Sequence, residues 1–241
     1  MLTTILSGGL IGLIFGFILQ RTRFCLTGGF RDMYIARNNT LFYAFLIAIT
    51  VESIGVLSLI QLGIIGNPYE EFSVLGAIVG SYLFGIGIVL AGGCATGTWY
   101  RAGEGLLGSW VALFFYMISA AAMKSGFLVP LNQLIAKRWV INDDLAGQLG
   151  IPVWYLLVFL VAITSFIVIR ELRKPRRQIA TLPSKYKGVR HYLFEKTYHK
   201  YFAGFLIGLV ALIAWPASQL TGRVGGLGIT TPSAQDRKSV V

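Results

Sequence analysis

Leu90-Ala91-Gly92-Gly93-Cys94-Ala95-Thr96-Gly97 decides how this chain is read. It closes an apolar run over 73–93 with glycine, thiol, hydroxyl and glycine again. The same order stands near the N-terminus, where apolar residues 3–20 lead to Phe24-Cys25-Leu26-Thr27-Gly28-Gly29-Phe30-Arg31. The two Cys-x-Thr-Gly tetrapeptides hold the only two cysteines of the sequence, and each is followed by an arginine, Arg31 or Arg101. Glycine clusters interrupt helices. Interrupted backbone at membrane depth persists only inside protein or along a polar cavity. The repeated motif therefore predicts broken helices around a polar path.

Composition places that path in a bilayer. Hydrophobic residues make up 55% of the 241 and charged residues 13%, against about 25% charged in a soluble domain; mean hydropathy is +0.70. A spanning helix needs about 20 apolar residues, and six stretches qualify: 3–20, 41–66, 73–93, 106–129, 151–170 and 201–221. The expected fold is an all-α polytopic helical bundle with pseudo-repeated halves and short re-entrant helices or turns. Residues 1–221 read as one transmembrane transport domain. Residues 222–241 read as a glycine-rich turn and polar tail, the start of a truncated further repeat.

The net charge of +11 does not point to nucleic acid, because ten of the 21 Lys+Arg fall between Arg170 and Lys200, in one loop between two spans. Positive loops stay cytoplasmic. Loop 171–200 is then cytoplasmic, as are Arg21, Arg23, Arg31 and Arg37, while Asn142, Asp143, Asp144 and the N-terminus lie outside. Met1-Leu2-Thr3-Thr4 lacks the basic start of a signal peptide, so the first apolar stretch is expected to be retained.

Small residues recur every fourth position at Gly8, Gly12 and Gly16, at Gly76 and Gly80 (with Ala77, Ser81 and Gly85 one register on), and at Gly204 and Gly208. Such spacing lets helices approach closely in lipid, and helix packing is the simpler reading of it. A third glycine turn, Gly222-Arg223-Val224-Gly225-Gly226-Leu227-Gly228, follows the last span without a cysteine. Internal repeats with broken helices mark transporters, with the substrate held between the repeats.

Cys25 and Cys94 are the first candidates for that site. Each offers a neutral S–H, a weak donor, and weak binding suits a substrate that must also leave. A soft sulfur-bearing anion matches polarizable thiols better than a hard oxyanion does. Thr27 and Thr96 either donate hydroxyl hydrogen bonds to the same ligand or bond nearby backbone. Backbone N–H groups at the Gly28-Gly29 and Gly92-Gly93 turns, with Gly97, offer an anion nest. Arg31 and Arg101 either concentrate anions at a pore mouth or snorkel to headgroups, with Asp32 and Glu104 near enough to neutralise them. Glu52, inside the second span, is a candidate for coupling transport to protons; its rival role is a structural pair with Lys or Arg. The aromatics Trp99, Tyr100, Trp110, Trp139, Trp154 and Trp215 mostly suit an interfacial belt. His191 and His199 lack metal-ligand spacing, and neither metal nor cofactor is expected. Cysteines 69 residues apart, with no Cys-x-x-Cys, argue against a disulfide oxidoreductase.

On these residues the chain resembles the YeeE/YedE family of sulphur-transport membrane proteins. The resemblance rests on Arg23 to Arg31, on Leu90 to Gly97, and on Trp215-Pro216-Ala217-Ser218 with Gly222-Arg223 and Gly225 to Thr230. It implies inward transport of thiosulfate or a related sulfur anion across a bacterial or archaeal inner membrane, by a permease and not an enzyme. It further implies that Cys25 and Cys94 pass the substrate by transient hydrogen bonds, and that a small TusA-like cytoplasmic sulfur carrier is the partner. The family pattern has a third cysteine in its C-terminal half, which this chain lacks. A truncated sequence, a contribution from another chain, or a two-thiol pathway would each account for that. Two other functions stay open: a membrane sulfur-transfer protein forming a cysteine persulfide, which the want of a base or resolving cysteine beside either thiol disfavours, and a non-transporting structural subunit of a membrane complex.

Overall fold

The computed structural model describes residues 2–65, 72–136, 140–141, 152–173, 199–219, 226 and 228. Among them the chain is helical throughout apart from one two-residue ladder. Helices α1 (Leu2–Thr22), α2 (Leu26–Tyr34), α3 (Thr40–Gln61), α4 (Val74–Leu90), α5 (Ala95–Gly103), α6 (Leu107–Ser125), α7 (Val129–Ala136), α8 (Val153–Leu172) and α9 (Lys200–Gln219) follow in order. Strands β1 (Phe72–Ser73) and β2 (Val140–Ile141) pair antiparallel. This ladder is absent from the all-α expectation; it pins the start of α4 beside the chain that follows α7. Ser73 adds to the pin: its hydroxyl caps α4 by accepting from the Gly76 N–H at 3.1 Å, and it donates to the Ile135 carbonyl at 3.2 Å.

Six segments are long and apolar enough to cross a membrane, as the sequence predicts. Two of them are composite. The first runs over Ser7–Tyr34 and the third over Val74–Gly103, so each includes a long helix, a break and a nine-residue helix. An unbroken helix of about 30 residues would be about 45 Å long, well beyond a hydrocarbon core of about 30 Å. Each composite segment is therefore longer than one straight crossing, and its break divides a helix of 21 or 17 residues from the nine-residue helix that follows. The surface agrees with lipid as solvent. Val74–Leu90 has no buried residue at all, and large apolar side chains such as Leu13, Tyr82, Val89 and Phe159 stand exposed. In water such a surface would drive association.

The tightest pairing is between α3 and α9, and glycine makes it. A Cβ on Gly204 would collide with the Ala44 carbonyl oxygen, and one on Gly208 would lie 2.8 Å from Val51 Cβ and 2.9 Å from the Ala48 oxygen. Ala44 is 0% exposed. The glycine spacing read as helix packing is real packing here. In α1, Gly8, Gly12 and Gly16 have nothing among the described residues within 4 Å of a Cβ, nor have Gly80 and Gly85 in α4. The α3 helix also meets α8 through Thr50 and Thr164, whose hydroxyl oxygens lie 3.0 Å apart. Each has its own helix carbonyl within 2.8 Å, Leu46 and Leu160. One hydroxyl donates to the other while the second donates to its carbonyl.

A small apolar core joins these elements where the site needs them. Ile18, Leu19, Phe24, Leu41, Ala44, Ala48 and Ile207 are buried together, with Phe45 and Tyr100 packed on them. Phe24 stacks on Phe45, ring centroids 6.2 Å apart. The residue before Cys25 is thus anchored to α3.

Candidate functional site

Both thiols are made by the same local fold. Helix α1 ends in a left-handed residue, Arg23 (φ 48), and α4 ends in another, Gly92 (φ +68). Each stands two residues before its cysteine. The Phe24 N–H reaches back to the Leu19 carbonyl at 3.2 Å, and the Gly92 N–H to Val89 at 3.1 Å, so each turn recovers a carbonyl the helix end leaves free. The chain then re-enters helix at once, with Cys25 as N-cap of α2 and Cys94 as N-cap of α5, both in extended backbone. The sequence repeat is therefore a repeat of structure: helix end, left-handed residue, cysteine cap, nine-residue helix.

The two caps meet. Cys25 Sγ and Cys94 Sγ lie 3.6 Å apart, both as free thiols, 3% and 8% exposed. Three contacts bring α5 against α1 to achieve this. Tyr100 packs on the core, Gln20 donates to Glu104 at 3.2 Å, and Gly97 faces Cys25 without a side chain. A Cβ on Gly97 would lie 2.7 Å from Cys25 Sγ and 3.6 Å from Cys94 Sγ. The Gly97 N–H donates to Cys94 Sγ at 3.4 Å. Gly97 is thus the residue that makes room for the thiol pair.

The threonines divide. The Thr27 hydroxyl is buried without a hydrogen-bond partner among the described residues. A buried hydroxyl left in that state costs on the order of 1–3 kcal/mol, which water or a ligand would recover. Thr96, in the first turn of α5, is half-buried. Thr98, which the sequence reading passed over, is buried and donates to the Cys94 carbonyl at 2.9 Å, fixing the cap. Its position four residues after the cysteine, within helical reach of that carbonyl, was the available signal.

Gly28 and Gly29, expected in a turn, lie inside α2. Their bare faces sit against Leu41, with a Cβ at 3.7–3.8 Å; they serve close approach of α2 to α3. Gly92 and Gly93 do form a turn, and Arg101 closes it by donating from Nη1 to the Gly92 carbonyl at 2.6 Å. A Cβ on Gly93 would stand 3.2 Å from that nitrogen. Arg31 instead pairs with its neighbour Asp32 at 3.2 Å, 66% exposed. The two arginines at matching places in the repeat have different partners, and Glu104 binds Gln20.

Glu52 is held by an indole: Trp215 Nε1 donates to its carboxylate at 3.3 Å. That replaces the Lys or Arg partner weighed from sequence. It also places Trp215 in the α3–α9 contact. Gly226, from the third glycine turn, packs on the same ring, a Cβ there lying 2.7 Å from Nε1. His199 accepts from the Tyr201 N–H, and no cluster of metal-ligating side chains occurs among the described residues. Trp139, His191, most of loop 171–200, the acidic loop at 142–144 and Gly222-Arg223 lie outside the described residues. Each thiol does have a second thiol beside it, contrary to the expectation from sequence. No resolving cysteine adjoins either thiol along the chain, but in space each thiol has the other at 3.6 Å, because α1 packs on α5.

A multi-pass helical membrane protein, with repeated broken spans that bring two thiols together, is what fold and site define. The chain belongs to the sulphur transport family, YeeE/YedE, whose pattern matches residues 21–239. It is 53% identical over 234 residues to the thiosulfate transporter TsuA of Escherichia coli (strain K12), covering 97% of this chain and 66% of that one. It is 32% identical over 237 residues to TsuA of Spirochaeta thermophila, covering 93% and 66%. A 101-residue stretch, 42% of this chain, is 43% identical to the probable transporter YedE of Escherichia coli and covers 25% of it. The chain thus spans 66% of the length of the TsuA relatives it matches.

Proposed function

We propose that this chain carries thiosulfate, or a related sulfur-containing anion, inward across the cell's inner membrane, with Cys25 and Cys94 as adjacent hydrogen-bonding stations on the path. The observation that carries the reading is the meeting of the only two cysteines at 3.6 Å, each capping a nine-residue helix. Helix N-termini present unpaired N–H groups and positive dipole ends, so two such ends at one place favour an anion. Sulfur donors favour a soft one. The unpartnered Thr27 hydroxyl supplies a further donor beside Cys25. The names of the TsuA relatives point to the same substrate.

In this reading Gly97 keeps the thiols apart from any side chain, and Thr98 and Arg101 hold the cap and turn of the second repeat. Gly28, Gly29, Gly92 and Gly93 shape the approach. Glu52 carries the coupling proton. The N-terminus lies outside and loop 171–200 in the cytoplasm, where a TusA-like carrier receives the sulfur. Uptake of labelled thiosulfate in cells lacking other importers tests the core of it. Cys25→Ala and Cys94→Ala, which remove the S–H outright, are each expected to lower uptake at least about tenfold, the factor equivalent to one lost hydrogen bond of ~1.4 kcal/mol. Wild-type uptake from both variants would end the proposal.

The 3.6 Å contact also bears on the persulfide alternative. A persulfide on one cysteine would be attacked by the other thiol, leaving a disulfide and releasing hydrogen sulfide. Intact mass after thiosulfate exposure therefore has to be read on Cys25→Ser and Cys94→Ser, where an adduct would persist. We expect none.

A further inference from the structure

We propose that Cys25 and Cys94 are a reversible dithiol–disulfide pair, oxidised by small two-electron oxidants such as hydrogen peroxide, and that the disulfide closes the thiol site; the closure rests on the transport reading above, the disulfide itself does not. Both sulfurs are free and in van der Waals contact at 3.6 Å. A disulfide needs them at about 2.05 Å, so they have to close by only about 1.5 Å. The caps are also held by different elements, Cys25 by its neighbour Phe24 stacked on Phe45 of α3, and Cys94 by Thr98 and Gly97 of α5. The bond would tie the two repeats together across their breaks. In the first step one thiolate attacks the peroxide O–O bond, giving a sulfenic acid and hydroxide, which takes up the thiol proton as water. In the second the other sulfur attacks the sulfenic sulfur, its proton leaving with the displaced hydroxyl as a second water. Overall two thiols and one peroxide give one disulfide and two waters. A dithiol reductant reverses the result by exchange. Oxidation removes both S–H donors at one stroke, so an anion that depends on them loses its stations.

The test is intact mass and maleimide labelling of the purified full chain, before and after hydrogen peroxide, with thiosulfate uptake followed in parallel. Oxidised wild type should lose two hydrogens, resist labelling at both positions, run as a monomer on a non-reducing gel, and regain both thiols with dithiothreitol. Cys25→Ser and Cys94→Ser should instead gain oxygen or stay unchanged, with no internal cross-link. Gly97→Ala keeps both cysteines but pushes Cys25 Sγ from its place, and its cross-linking should slow at least about tenfold. Full labelling of both cysteines in treated wild type would overturn the pair, as would separate oxygen adducts on each. A disulfide with uptake unaltered would overturn the closure. A chain that forms the disulfide but never takes up thiosulfate would sink the transport reading and leave the dithiol pair standing.

Discussion

One methyl group at position 97 separates a thiol pair in contact from a displaced one. Alanine is the better helix former by ~1 kcal/mol, so Gly97→Ala has no reason to weaken α5. Its Cβ would nevertheless lie 2.7 Å from Cys25 Sγ. We expect thiosulfate uptake to fall about tenfold or more with membrane levels unchanged. Gly28→Ala, with a Cβ at ordinary contact distance of 3.8 Å, should keep most of it. Uptake by matched amounts of each variant decides between them. The left-handed residues make a second pair. Gly92→Ala forces a Cβ into φ +68 and should cost ~1–2 kcal/mol, read as a lower Tm in detergent. Arg23→Gly at φ 48 should not lower it. The thiols themselves were legible, because the tetrapeptide repeats around the only two cysteines. Their meeting was not, since it depends on α1 packing against α5 across 69 residues of chain. Nor was the helical state of Gly28 and Gly29. Glycine pairs read as a turn unless Leu41, on another helix, is known to lie beside them.

Between helices, covered glycines set the close contacts and uncovered ones do not. Gly204 lies against the Ala44 backbone, so Gly204→Val should prise α9 from α3. Overpacking of a tight contact costs typically 1–3 kcal/mol and more against backbone; the expected reading is a large loss of folded, monodisperse protein. Gly12→Ala, with nothing near its Cβ, should leave yield unchanged. The sequence shows the same four-residue spacing in both helices, and only the structure tells them apart. Glu52 belongs at this scale too, since its partner Trp215 lies on α9. Glu52→Gln keeps an oxygen to accept from the indole and removes the ionisable group. In the proposed coupling role, uptake by this variant loses its dependence on an imposed proton gradient while the fold persists. Equal gradient dependence in variant and wild type would leave Glu52 a structural acceptor. The carboxylate was visible from sequence as an ionisable group within a span, but an indole 163 residues away carries no pairing signal that charge patterns reveal.

Across the whole molecule, two repeats of long helix, break and short helix converge so that their cysteine caps meet at 3.6 Å. The six spans were readable because lipid leaves an unmistakable composition, and α4 without one buried residue shows how completely that solvent replaces a protein core. The breaks were legible from their glycine clusters, and the extent of the short helices α2 and α5 was not, because both mix glycine with polar residues. The central claim is that the paired thiols form an anion path, and reconstitution tests it most directly. Purified chain in sealed vesicles, given labelled thiosulfate outside, should fill the lumen with label. Cys94→Ala inserted at the same density should fill it at least about tenfold more slowly, and excess sulfate should compete poorly. Equal filling by wild type and Cys94→Ala would contradict the claim.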